Sequence, residues 1–164
     1  MELFVKNKRI FILPLIFQKV SCIIYWKYII EGDTVPMKRL SVKKNVECMA
    51  CLECVRACSV AFYKTFDPDL SCIQIVAKGS GAKPMTCIQC GKCAKACEAG
   101  AITQNPKTGV YMINKKLCTS CGKCAEVCPM KVMVAPAEAP TSKCIACGIC
   151  VKACPMEVLE IVEK

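Results

Sequence analysis

Cys87-Ile88-Gln89-Cys90-Gly91-Lys92-Cys93-Ala94-Lys95-Ala96-Cys97 and Cys118-Thr119-Ser120-Cys121-Gly122-Lys123-Cys124-Ala125-Glu126-Val127-Cys128 are two copies of one spacing, C-x2-C-x2-C-x3-C. The spacing recurs upstream at Cys48, Cys51, Cys54 and Cys58, and downstream at Cys144, Cys147, Cys150 and Cys154, so that sixteen of the eighteen cysteines fall into four runs. Three thiolates at intervals of three residues on a tight loop reach three corners of an iron-sulfur cube. The fourth, carried onto the next turn, points away and reaches the other cube of a pair. Sixteen ligands suffice for four 4Fe-4S clusters.

Other uses of cysteine fit less well. Zinc knuckles take two cysteines each, which leaves half of every run unexplained, and the chain has no histidine. Four disulfide-paired runs would crowd each loop, and no secretory signal with a small-residue cleavage site precedes them. Without histidine, neither a C-x-x-C-H haem attachment nor a Rieske centre is possible. Gly91, Gly122 and Gly148 follow the second cysteine of runs two to four, where a side chain would collide with a bound core or where positive φ is needed. Leu52 holds that place in run one. Pro129 and Pro155 follow the fourth cysteine of runs three and four and suit the start of a short helix, whereas Ser59 and Glu98 stand there in runs one and two.

The formal charge of +10 suggests nucleic acid until the cofactors are counted. Each oxidised cluster with its thiolates carries about −2, so four bring the total to roughly +2, and one electron on each brings it to roughly −2. Many lysines, including Lys92, Lys95, Lys123 and Lys152 inside the runs, thus read as compensation for buried negative charge and as a docking or solubilising surface. No aromatic stacking platform accompanies them, and no nucleic-acid partner is expected. With 164 residues, the chain has room for two small modules. Ligation replaces much of an ordinary core, so the metal-free chain is expected to be largely unfolded.

Residues 1–36 differ from the rest. Ile10 to Ile30 is apolar, but Pro14, Gln18, Lys19 and Lys27 interrupt it before a clean span of about 20 residues forms. It reads as an interfacial anchor, as a partner-binding extension, or as a non-native stretch upstream of a start at Met37. A membrane partner is not expected. From Met37 the pattern is strand, ligand loop, short helix and strand, repeated. Ile102 to Gln104, a turn at Asn105 to Gly109, and Val110 to Ile113 separate runs two and three, which is the layout of a two-cluster bacterial ferredoxin.

The expected fold is α+β, with two nested bacterial-ferredoxin-like modules, each holding two 4Fe-4S clusters. Residues 82–135 form the inner module, and residues 37–81 with 136–164 form the outer one. Under this nesting the crossed fourth ligand gives four sets. They are Cys48, Cys51, Cys54 with Cys154; Cys144, Cys147, Cys150 with Cys58; Cys87, Cys90, Cys93 with Cys128; and Cys118, Cys121, Cys124 with Cys97. Pairing run one with two and run three with four would exchange only the fourth ligands. The stretch between runs one and two looks too irregular for an ordinary ferredoxin half, which favours nesting.

The stretch from Cys48 to Ile75, ending in Phe66-Asp67-Pro68-Asp69-Leu70-Ser71-Cys72-Ile73-Gln74-Ile75, resembles the four-cluster iron-sulfur subunits of dimethyl sulfoxide reductase and hydrogenase systems. Among these it is most similar to the small subunits that accompany tungsten aldehyde oxidoreductases. The resemblance covers residues 37–164. It implies a non-catalytic, cytoplasmic, anaerobic electron-transfer subunit of an oxidoreductase, relaying single electrons between a tungsten or molybdenum pterin enzyme and a ferredoxin or a flavin- or quinone-linked partner. A free polyferredoxin shuttle is the alternative. An enzyme in its own right is disfavoured, because the ligand cysteines leave no open coordination site and no histidine base exists. Met49 and Leu52 in run one predict a drier cluster of lower potential. Cys72 stands where such subunits carry a non-ligand and reads as a buried, inert thiol. Cys22 has no spacing partner. Cys22→Ser and Cys72→Ser are therefore each expected to leave iron content unchanged by metal analysis, and loss of a whole cluster in either would overturn the ligand list.

Overall fold

The computed structural model describes residues 36–163, so Cys22 and nearly all of the N-terminal segment lie outside the described residues. The strand expected before run one forms as β1 (Lys38–Val42). It pairs antiparallel with β6 (Leu159–Glu163), Leu40 opposite Ile161. The strands flanking the first and last ligand runs thus make one ribbon. Two hairpins complete the strands: β2 (Gln74–Lys78) with β3 (Gly81–Met85), and β4 (Ile102–Gln104) with β5 (Tyr111–Ile113). The second closes through the expected turn, where Asn105 Oδ1 accepts from the amides of Lys107 and Thr108 and Gly109 takes φ +66°.

Helices follow the ligand loops: α1 (Glu53–Tyr63), α2 (Lys92–Lys95), α3 (Lys123–Glu126) and α4 (Ile149–Lys152). α1 packs on α4, and α2 on α3. Leu40, Val55, Ile73, Val134 and Leu159 form the main buried cluster together with Cys54, Cys72, Cys144 and Cys150. A smaller cluster gathers Cys93, Ile102 and Cys124. In both, thiols occupy positions that aliphatic side chains hold in an ordinary core.

Two expectations need correction. Pro129 and Pro155 start no helix. Each sits second in a tight turn, closed by Lys131 N–H to Cys128 O at 3.2 Å and by Glu157 N–H to Cys154 O at 3.1 Å. That position suits proline's fixed φ. Run two makes the same turn without proline, through Gly100 N–H to Cys97 O at 3.1 Å. The stretch between runs one and two is also regular. Ser59, in place of proline, lets α1 continue for 11 residues, and its fully buried hydroxyl donates to Arg56 O and accepts from the Asp67 amide. The chain then returns through a 3-10 turn (Pro68–Leu70), capped by Asp67, into the β2–β3 hairpin.

The loop glycines meet the expectation of positive φ. Gly91, Gly122 and Gly148 have φ of +74°, +76° and +81°, and Leu52 adopts the same region at +60°. A Cβ on Gly122 would meet nothing within 4 Å, so positive φ, not crowding by protein atoms, sets the requirement there. Gly91 carries a second constraint, since a Cβ would come within 2.6 Å of the Tyr111 hydroxyl.

Leu40 is 2% exposed at the centre of the β1–β6 ribbon. Leu40→Ala is expected to cost about 2–5 kcal/mol. Met112→Ala, on an exposed site of β5, is expected to stay within about 0.5 kcal/mol. Anaerobic thermal bleaching of the visible chromophore reads both.

Candidate iron-sulfur centres

The four ligand loops share one backbone path. The residue before each second cysteine is left-handed, with φ of +56° at Ala50, +55° at Gln89, +56° at Ser120 and +54° at Ala146. The residue after it is left-handed as well, as described for Leu52 and the three glycines. Alternation of this kind turns successive amides inward as an anion-binding concavity. Each non-glycine residue held there costs roughly 1–3 kcal/mol, which persists only where something compensates it. A polyanionic core ringed by thiolates supplies that compensation.

Exposure repeats with the same register. The second cysteine of every run (Cys51, Cys90, Cys121, Cys147) is exposed and the third (Cys54, Cys93, Cys124, Cys150) buried. The fourth (Cys58, Cys97, Cys128, Cys154) is half-buried, and so is the first, except that Cys144 is buried. Among the described residues all the cysteines are free thiols.

Three hollows gather these thiols. One is lined by Cys48, Cys51, Cys54 and Cys154, with apolar walls from Met49, Leu52, Ile75, Pro84 and Leu159. A second is lined by Cys58, Cys144, Cys147 and Cys150, and a third by Cys87, Cys90, Cys93 and Cys128. Their empty volumes, mouths included, are alike at about 320, 380 and 340 Å³. Cys97 packs beside Cys124 in the smaller core cluster, and Lys123 Nζ bonds Glu98 Oε1 at 2.6 Å, tying runs two and three together. Sulfurs that wall a hollow, with amides turned into it, fit a polynuclear core better than a single ion.

Burial controls the thiols. It pushes Cys54 up to about 11 and Cys144 and Cys150 up to about 12, and it raises Cys93 and Cys124 too. These sulfurs favour the neutral thiol until a metal core takes the place of the proton. Cys58 departs from this, held down to about 6 by a hydrogen bond from the Cys72 thiol, reinforced by the Cys72 amide and the Ser71 hydroxyl. Donating to Cys58, together with burial, raises Cys72 itself. Cys72 is buried as expected, at 1% exposure, yet it also lines the hollow of Cys58. Sequence spacing held no sign of that contact, because the β2 approach brings Cys72 onto α1.

The Ala146 amide donates to Cys144 Sγ at 3.4 Å, a bond of the kind that tunes cluster potential. Beside it, Lys143 is 2% exposed. Its Nζ donates to Gln89 Oε1 at 2.7 Å, Tyr111 O at 2.8 Å and Cys144 O at 3.0 Å. Gln89, equally buried, donates through Nε2 to Cys144 O at 2.9 Å and accepts from the Tyr111 amide at 3.2 Å.

Residues 86–132 match a family described as 4Fe-4S dicluster domain, and residues 110–155 match a second family of the same description. The chain carries ferredoxin-type 4Fe-4S dicluster segments. The two dicluster matches overlap across run three and leave run one outside, although run one repeats the backbone path of the others. With sixteen patterned thiols the cofactor complement is four 4Fe-4S clusters, and the role is iron-sulfur electron transfer, that of a carrier and not of a catalyst. No curated protein matches the chain. Among the described residues no helix is long and apolar enough to cross a membrane.

Exchange at the second hollow separates ligand from neighbour. Cys58→Ser is expected to lower bound iron by about one cluster. Cys72→Ala, which removes only the hydrogen-bond donor, is expected to keep all the iron while lowering the reduction potential of one cluster in an EPR-monitored titration.

Proposed function

We propose that this chain is a four-cluster relay subunit. It passes single electrons between a catalytic oxidoreductase, of the tungsten or molybdenum pterin class, and a ferredoxin or a flavin- or quinone-linked partner. The modules nest as the sequence suggests, run one with run four and run two with run three. The ligand sets are Cys48, Cys51, Cys54 with Cys154; Cys144, Cys147, Cys150 with Cys58; Cys87, Cys90, Cys93 with Cys128; and Cys118, Cys121, Cys124 with Cys97. The lining of three hollows by three of these sets, and the β1–β6 ribbon between the outer runs, support this assignment.

Bound clusters supply reversible one-electron chemistry whose potential follows charge, hydrogen bonding and burial. The protein's part is to bring neighbouring ligands close. Cys54 and Cys58 lie one helical turn apart on α1 while lining different hollows. Cys150 on α4 and Cys154 just past it repeat this from the other side, and Cys93 and Cys97 at α2 and Cys124 and Cys128 at α3 have the same spacing. Between the modules, Cys87 packs against the core cluster that contains Cys144. This succession of thiol-lined hollows is the observation that carries the relay reading. It gives the order run-one cluster, run-four cluster, run-two cluster, and the proposed ligand sets put the run-three cluster after them, where Cys97 packs beside Cys124. Apolar Met49, Leu52, Ile75 and Leu159 shield the first hollow and fit the lower potential expected there.

The partner rests on the resemblance of residues 37–164 and on the lysine-rich surface, and the protein's own host tests it. Tagged chain isolated anaerobically is expected to bring down a large subunit in stoichiometric amount, carrying tungsten or molybdenum by elemental analysis. A lone monomer exchanging electrons with dyes equally well with and without lysate would instead make it a free shuttle. The ligand sets have a separate test. Cys58→Ser and Cys150→Ser are expected to abolish the same EPR-resolved reduction step, and Cys54→Ser a different one. If Cys58→Ser instead removed the step lost in Cys93→Ser, the modules would pair in sequence order.

A further inference from the structure

Lys143 is the one lysine among the described residues that is buried, and its three donors all have oxygen partners. An ammonium has three donors, so the group is fully satisfied as a cation. Its partners come from both proposed modules. Gln89 lies between two cysteines of run two, Tyr111 is on β5, and Cys144 opens run four. Lys143 also lines the hollow of Cys87, Cys90, Cys93 and Cys128, and its own carbonyl neighbour belongs to the first cysteine of the next hollow. Thr141, two residues earlier and 1% exposed, accepts from Cys118 Sγ at 3.8 Å, so residues 141–144 form a buried seam across the runs.

A buried unit charge acts on its neighbours through a medium of low effective dielectric and escapes the salt screening that weakens exposed lysines. Adding an electron makes a cluster more negative, and a fixed cation beside it favours that state. We infer that Lys143 is a potential-setting residue at the midpoint of the relay, where its buried ammonium makes the two clusters flanking the seam easier to reduce than they would otherwise be. Electrons thus reside preferentially at the centre of the molecule. Gln89 is the positioning residue that holds the ammonium there, accepting from Nζ with one end and bonding the Cys144 carbonyl with the other. The inference rests on the proposed ligand sets, since these place a cluster on each side of the seam.

The test compares full-length wild type with Lys143→Met, Lys143→Gln and Lys92→Met, prepared anaerobically. Iron and sulfide content and EPR-monitored reduction are measured for each. Lys143→Met is expected to keep its iron while at least one reduction step becomes about tenfold less favourable, which is about 59 mV for one electron. Lys143→Gln, neutral but able to bond the carbonyls, is expected to shift in the same direction. Lys92→Met removes an exposed charge beside the same hollow and is expected to shift any step less than about threefold. Fully loaded Lys143 variants with wild-type steps would overturn the inference, as would a Lys92→Met shift of equal size. Loss of iron in both Lys143 variants would make the residue a clamp for the loop and overturn it too. The ligand sets fail separately, through the cysteine variants described above.

Discussion

Everything in this fold depends on loops that are strained without their inorganic cores. Each loop bends left-handed on both sides of its second cysteine, and in run one even a leucine is held there. Such backbone is unfavourable by itself. It becomes favourable when inward-facing amides meet a negative core whose ligation fixes the thiolates of the loop. The third cysteines are buried and raised toward the thiol form, so binding of metal, loss of protons and folding are one event. This is why a chain whose main buried cluster, among the described residues, has only Leu40, Val55, Ile73, Val134 and Leu159 as its aliphatic members can be specific in structure.

In the proposed ligand sets the crossed fourth cysteine converts that local constraint into long-range order. Lying one helical turn beyond the third, it would tie its loop to the core of a partner run. The β1–β6 ribbon and the packing of α1 on α4 bring residues 38–63 and 149–163 together, and Lys38 N–H reaches Thr108 O in the turn of the β4–β5 hairpin. At the seam between them, carbonyl oxygens and the Gln89 amide replace apolar packing, organised around one ammonium. Burying a charge there is tolerable because every donor is used.

The cysteine positions were legible in the sequence because ligand spacing is a direct covalent requirement, and the strand at Lys38–Val42 because its alternation matches a half-buried ribbon. The turn at Asn105 to Gly109 was legible from local chemistry. What followed from one-residue departures was harder to see. Ser59 in place of proline extends α1, and the Glu53–Arg56 pair on its exposed face accompanies that extension. The β2–β3 hairpin, with Pro84 opposite Ile75 and Gly79 at φ +58° in its turn, was not read from the sequence. Lys143 looks in sequence like any of the many lysines around it, because its partners Gln89 and Tyr111 lie far away along the chain and only the fold closes them around it. Cys72 was read as buried from the resemblance, but its place beside Cys58 in one hollow depends on how the chain entering β2 meets α1.

The most direct measurement is the iron and acid-labile sulfide content of anaerobically prepared protein. Four 4Fe-4S clusters require about sixteen of each per chain. A colourless protein holding about four zinc ions and negligible sulfide would contradict the account.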